Sequence, residues 1–230
     1  MREVAVVELA GYLISQQIYL GNKTVIYRGL RERDRKAVVL KMMRSEYPSF
    51  KELIQFRNQY TIAKNLQLEG VIQTYSLEPY QNGYVLVMED FGGISLKDYV
   101  TNVETLYAKS LHEFLHIAIQ IVTALEGLYR YHIIHKDIKP ANILINPTTK
   151  QVKLIDFSIA SLLLRETQTL ICPNVLEGTL AYLSPEQTGR MNRGHQALLL
   201  QQQNPGEVDV DLGQWENWLA LLAHPLTVVR

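Results

Sequence analysis

The chain has 230 residues, 47% apolar and 20% charged, with 23 basic and 23 acidic side chains and a formal charge of zero. That balance offers no electrostatic footing for a nucleic-acid or membrane partner, and the length suits one large or two-lobed domain with a substantial core. Cys172 is the single cysteine, which excludes intramolecular disulfides and cysteine-rich zinc sites and fits a reducing compartment. The opening MREVAVVELAG is interrupted by Glu8 and carries no usable signal-peptide core. No run approaches the roughly 18–20 apolar residues of a membrane span. The expectation is a soluble cytoplasmic protein.

Residues 12–19 and 24–30 are rich in Tyr, Ile, Leu and Val around a turn at Gly21-Asn22, and read as two strands. Ala37–Met42 is a third. Pro48 opens a helical pattern, with Phe50, Leu53, Ile54, Phe56, Tyr60, Ile62 and Ala63 spaced to cover one face. Residues 71–78 and 84–90 read as strands around Gln81-Asn82-Gly83, a hairpin signal. Ser95 and Asp98 can start a short helix. Residues 111–131 give the strongest helical segment, with Leu111, Phe114, Leu115, Ala118, Ile121, Val122, Leu125 and Leu128 forming an apolar stripe for core packing. No repeat or low-complexity linker appears before about residue 195.

Residues 135–142 read HKDIKPAN, and Asp156-Phe157-Ser158 follows one hairpin later. Two carboxylates, a lysine and an amide are thereby supplied at Asp137, Asp156, Lys139 and Asn142. Phosphoryl transfer from a magnesium nucleotide needs that set: a carboxylate to orient the attacking hydroxyl, a cation on the moving phosphoryl group, and oxygen ligands for the metal. Taken alone, Asp-x-x-x-x-Asn also reads as a solvated turn. Together the segments resemble the protein kinases, whose signature is His-Arg-Asp-x-x-x-x-Asn followed by Asp-Phe-Gly. Lys139, two residues after the aspartate, resembles the serine/threonine branch. The resemblance implies an α+β, two-lobed fold, with a small antiparallel-sheet N-lobe plus one helix and a mainly helical, incomplete C-lobe. The expected division is an N-terminal extension over 1–11, an N-lobe over 12–90, a partial C-lobe over 91–193 and a divergent tail over 194–230.

The resemblance also implies roles for single residues. IYLGNKTVIYRG at 18–29 stands in place of the glycine-rich loop, whose glycines let backbone amides approach phosphates. Aligning Ile26-Tyr27 on the family's Val-Tyr puts Tyr19, Gly21 and Thr24 at the three glycine positions. Gly21 and Ile26 then belong to the ATP site, on a loop stiffened by two side chains. Val38-Val39-Leu40-Lys41 matches Val-Ala-Ile-Lys and makes Lys41 the cation on the α- and β-phosphates, although a lysine there also reads as a strand end. Gln59 falls where the family has a glutamate paired with that lysine, and Glu52, two helical turns away, is too far to replace it. Met88 takes the gatekeeper position, with Glu89, Asp90 and Phe91 at the hinge, so that Met88, Glu89 and Phe91 join the ATP site. Asp137 becomes the catalytic base and Lys139 the γ-phosphate contact, with Asn142 and Asp156 as magnesium ligands. Lys136 replaces an arginine that grips a loop phosphate bidentately. Ser158 replaces the last glycine of Asp-Phe-Gly, a change expected to restrict the backbone after Phe157.

GTLAYLSPEQ at 178–187 resembles the end of an activation segment, with Ser184-Pro185-Glu186 for Ala-Pro-Glu and Thr179 near the catalytic aspartate. SPEQTGRMNR resembles the N-terminal kinase modules of large, mostly cyanobacterial, sensor proteins, in which an ATPase-like region, a GAF domain and a histidine kinase follow. The resemblance ends after Arg193: the expected Asp-x-Trp-Ser-x-Gly helix is missing, Asp209–Gly213 is a faint echo, and residues 214–223 suit one short helix. A truncated or frame-disrupted kinase gene is the expectation, with apolar surface left exposed on helix 111–131. The function expected is transfer of the γ-phosphoryl group of ATP, with Mg2+, to a serine or threonine hydroxyl of a protein substrate, alongside other signalling domains. The alternatives are a pseudokinase serving as a nucleotide-binding or interaction module and, less well matched, a small-molecule kinase, which typically lacks the Lys139 position.

Overall fold

Strict alternation of buried residues marks β2 (Thr24–Arg31), where Val25, Tyr27, Gly29 and Arg31 turn one way. A strand half in water and half in a core must show that period of two. The computed structural model describes residues 8–101 and 111–162 together with Thr179 and Tyr182. These fall into two compact units: the first takes the described residues through Gln67 together with Ile72–Gly92, and the second takes Leu68–Val71 and the described residues from Gly93 onward.

The first unit is a five-stranded antiparallel sheet in the order β1-β2-β3-β5-β4, with β1 at Tyr12–Leu20, β3 at Lys36–Met43, β4 at Thr74–Tyr80 and β5 at Gly83–Glu89. On one face Val25, Tyr27, Val38, Leu40, Met42, Val85 and Val87 form a buried cluster, flanked by Leu9, Tyr12, Ile14, Tyr75 and Tyr80. Burial of each such aliphatic side chain stabilises by about 1.5–3 kcal/mol. The helix α1 (Phe50–Ala63) packs against β4 and β5. Its start is a capping box: Ser49 Oγ accepts from the Glu52 amide, and Glu52 Oε2 accepts from the Ser49 amide at 2.9 Å. Phe56, Gln59 and Ala63 are the residues it buries. The face expected from sequence is therefore only partly the buried one. Phe50 is 78% exposed and Ile54 is exposed too, because the helix presents a narrow i, i+3, i+7 edge and takes a polar residue into it.

The second unit holds α2 (Leu96–Thr101), α3 (Leu111–Arg130) and the short strands β6 (Ile94–Ser95), β7 (Ile133–Ile134), β8 (Ile143–Ile145), β9 (Val152–Leu154) and β10 (Ser161–Leu162). These strands pair as β6-β8-β9 and β10-β7. Ser95 Oγ accepts the Asp98 amide at 3.0 Å and so starts α2 as the sequence indicated. Along α3 the buried residues are Ile117, Ile121, Ala124, Leu125 and Leu128, while Leu115, Ile119 and Val122 stay exposed. The stripe is thus shifted around the helix from the one read in the sequence. Residues 71–73 are not part of β4. Val71 instead bridges Leu154 in parallel, and the Gly70 carbonyl accepts the Leu154 amide at 2.8 Å, which ties Leu68–Val71 into the second unit. Gly70 is needed there because a Cβ would meet the Ala124 Cβ at 2.5 Å. No helix among the described residues is long and apolar enough to cross a membrane.

Candidate active site

Within the second unit, Asp137, Lys139 and Asn142 sit in the turn between β7 and β8, and Pro140–Asn142 forms one 3-10 turn that brings them to one side. Pro140 suits its first position because its missing N–H is not required there. The carboxylate of Asp137 is the hub. Lys139 Nζ reaches Oδ2 at 2.7 Å, Asn142 Nδ2 donates to the same oxygen at 2.9 Å, and the Thr179 hydroxyl donates to Oδ1 at 2.8 Å. Lys139 Nζ also donates to Thr179 Oγ1 at 2.7 Å, which closes a ring of three side chains, Asp137, Lys139 and Thr179, with Asn142 joined to it at Asp137. Charge-assisted bonds of this length are roughly twice as strong as neutral ones. Asn142 donates in addition to the Asp137 main-chain oxygen at 2.9 Å. With its NH2 group so used, its amide oxygen is the atom left for a hard cation.

His135 supports the loop from inside the fold. Its Nδ1 accepts the Asp137 amide at 3.3 Å, so Nε2 carries the proton and donates to the Ile155 carbonyl at 2.9 Å. Burial pushes its pKa down, against the opposing pull of the Ile155 carbonyl, Asp156 and Asp137. Its ring meets Phe157 edge-on with centroids 4.8 Å apart, and Phe157 is fully buried. Asp156 takes a left-handed backbone, φ 67°, as does Lys136 at φ 67°. Non-glycine residues adopt this region uncommonly, and Asp tolerates it better than most. Ser158 is not among the positive-φ residues, so the backbone restriction expected from losing the family glycine is not incurred at that position. Ser184, Pro185, Glu186 and Cys172, together with the tail from 194, lie outside the described residues.

In the first unit, Lys41 on β3 donates to Gln59 Oε1 at 2.9 Å, with Gln59 1% and Lys41 9% exposed. Gln59 Nε2 faces Met88 Sδ at 4.0 Å, so the glutamine bridges Lys41 and Met88. Glu52 is engaged in its capping box and lies 3.9 Å from Lys23. Ile26 pairs with Lys41 across β2 and β3, and Gly21 stands at the β1–β2 turn, its amide donated to the Thr24 carbonyl at 2.9 Å. After Met88, the side chains of Glu89 and Asp90 turn to the scaffold. Glu89 Oε1 accepts the Gln73 amide at 2.7 Å, and Asp90 pairs with Arg28 at 2.5 Å while accepting the Gly92 amide. The Arg28–Asp90 pair was not legible in the sequence, since nothing local marks a contact between residues 62 positions apart.

Each unit therefore gathers its own share of the predicted residues: Gly21, Ile26, Lys41, Met88, Glu89 and Phe91 in the first, and Asp137, Lys139, Asn142 and Asp156 in the second. The protein kinase domain model matches residues 12–198. Among curated proteins the chain is similar to serine/threonine-protein kinase PrkC of Bacillus subtilis, 36% identical over 66% of this chain and 23% of that protein. It is also similar to serine/threonine-protein kinase PknL of Mycobacterium tuberculosis, 30% identical over 76% of this chain and 43% of that one. A probable serine/threonine-protein kinase, pknA2 of Bifidobacterium longum, matches at 29% identity over 76% and 23%. The chain spans between about a quarter and under a half of the length of these relatives. On the extent of the domain match and the order of its motifs, the chain belongs to the protein kinase domain family.

Proposed function

We propose that this chain is the catalytic module of a serine/threonine protein kinase, moving the γ-phosphoryl group of ATP to a hydroxyl on a protein. The observation that carries the reading is the closed ring of Asp137, Lys139 and Thr179, with Asn142 bonded to Asp137 beside it. It holds a carboxylate in one rotamer beside a cation, which is the arrangement needed to orient a hydroxyl and offset charge on a transferring phosphoryl group. Asp137 orients the substrate hydroxyl and receives its proton. Lys139 contacts the γ-phosphoryl oxygens, and Lys41, steadied by Gln59, contacts the α- and β-phosphates. The Asn142 amide oxygen and the Asp156 carboxylate suit magnesium, which takes a few such oxygens and completes its shell with phosphates and water. When bound, the metal supplies neutralising charge on the phosphates. Met88, Glu89, Phe91 and Ile26 are the residues that would hold the adenine.

The finer assignment, an N-terminal module of a larger sensor protein with further signalling domains, rests on the SPEQTGRMNR segment and on the greater length of the relatives. Phosphotransfer from radiolabelled magnesium-ATP to a general protein substrate tests the main reading. Asp137→Asn keeps the shape of the ring and is expected to lower the rate by about 10²–10⁴-fold without changing the melting temperature by more than a few degrees. ATP binding with no transfer by the wild type, and no effect of Asp137→Asn, would instead establish a nucleotide-binding pseudokinase.

A further inference from the structure

We infer that Tyr19 is a plug over the tip of the β1–β2 hairpin that limits triphosphate affinity; the inference rests on the kinase reading above. The β1 ladder is irregular between Gln17 and Tyr19, and beyond that point Tyr19 pairs with Ile26, which in turn pairs with Lys41. Directly paired residues share a face of the sheet. Tyr19 therefore stands on the Lys41 face, opposite the cluster of Val25, Tyr27, Leu40 and Met42. Bulges of this kind re-aim side chains beside functional sites.

The ring then folds back onto Gly21. A Cβ at Gly21 would lie 2.7 Å from Tyr19 Cε1 and 2.8 Å from its hydroxyl oxygen. The space that a glycine would leave open to a phosphate is filled by the ring. The tip is tied shut as well: the Gly21 amide donates to the Thr24 carbonyl, and Arg44 Nη1 donates to the Gly21 carbonyl at 3.1 Å. The Arg44 amide bonds the Lys23 carbonyl at 2.9 Å. A phosphate oxygen must come within about 3 Å of an amide nitrogen to bond it, and at Gly21 both the approach and the amide are taken. Tyr19 is 54% exposed, so its ring is held by packing on one side and is displaced by a change of rotamer. Tyr19 is accordingly a positioning residue whose effect falls on the phosphate end of the nucleotide and spares the nucleoside end.

The test is calorimetry on the full 230-residue chain with magnesium-ATP and with adenosine, joined to steady-state phosphotransfer. Tyr19→Gly is expected to tighten ATP about three- to tenfold, leave adenosine unchanged, and act through KM rather than kcat. Tyr19→Phe, which keeps the ring, restores the wild-type affinity; Tyr19→Ser repeats the glycine result without added backbone freedom. Equal or weaker ATP binding by both Tyr19→Gly and Tyr19→Ser, with adenosine unaffected, overturns the plug alone. Binding of neither ATP nor adenosine by any of these proteins overturns the kinase reading and the plug with it.

Discussion

The turn around Asp137 and the Lys41–Gln59 pair are both polar constructions set into apolar surroundings, yet they are held in different ways. Asp137 is fixed by three side chains from two separated stretches of sequence, each bond involving a full charge or closing on a group that carries one. Lys41 is steadied within its own unit by a neutral amide from α1, with a thioether on the amide's other side. Both sets of bonds are charge-assisted, but those at Asp137 include a bond between opposite charges, whereas at Lys41 the ammonium meets the neutral Gln59 amide. The family motif is altered in both regions, at Lys136 and Ser158 around the Asp137 turn and at Gln59, Tyr19 and Thr24 in the first unit.

Substitutions sharpen that contrast. The largest structural effect is expected at Gly70, where an added methyl would press on Ala124 of α3. Gly70→Ala should cost about 1–3 kcal/mol, which for a domain of this size lowers Tm by several degrees. An unchanged Tm in calorimetry would mean that Leu68–Val71 is not tightly seated in the second unit. Next is Gln59→Leu, which removes a buried acceptor from Lys41 and should cost about 1 kcal/mol and reduce phosphotransfer. Gln59→Glu, which turns the bond into an ion pair, should keep stability and raise transfer above the wild type. If Gln59→Leu matches the wild type in both assays, the Lys41–Gln59 bond contributes nothing and the contrast between the units fails.

The smallest effect is expected from pH. Burial lowers the pKa of His135 in the folded chain, so the unfolded chain binds its proton first as pH falls. Stability should hold above the ordinary histidine pKa of 6.5 and fall as pH drops below it. His135→Gln, which can still accept from the Asp137 amide and donate to the Ile155 carbonyl, should flatten that slope in thermal melts between pH 7.5 and 5.5. A slope of equal size in the variant would place the pH dependence elsewhere.

Much of the site could be read from residues alone, because HKDIKPAN and Asp156-Phe157 put the chemical groups within a few positions of one another and their order carries the signature. The place of Gln59 opposite Lys41 followed from counting back along one helix, and the contact at 2.9 Å agrees with that count. The start of α1 was read at Pro48, one residue before the Ser49 cap that bonds Glu52. Burial was harder. The sequence puts Leu115 and Val122 in the stripe with Ile121 and leaves out Ile117, and only the neighbours of α3 decide which of them are covered. Val71 looked like the start of a strand because it is apolar and lies among strand formers. Its bridge to Leu154, 83 residues away, belongs to the other unit.

By itself, the sequence determined which chemical groups this protein carries, their order along the chain and the period of most of its elements, since those depend on residue type and local spacing. Tertiary structure decided where the Tyr19 ring lies, that Ser158 escapes the strain its place in the motif implied, and that Thr179, which the resemblance already put near Asp137, bonds both Asp137 and Lys139. Such facts depend on register, on left-handed backbone at other positions and on long-range packing, none of which a local pattern encodes.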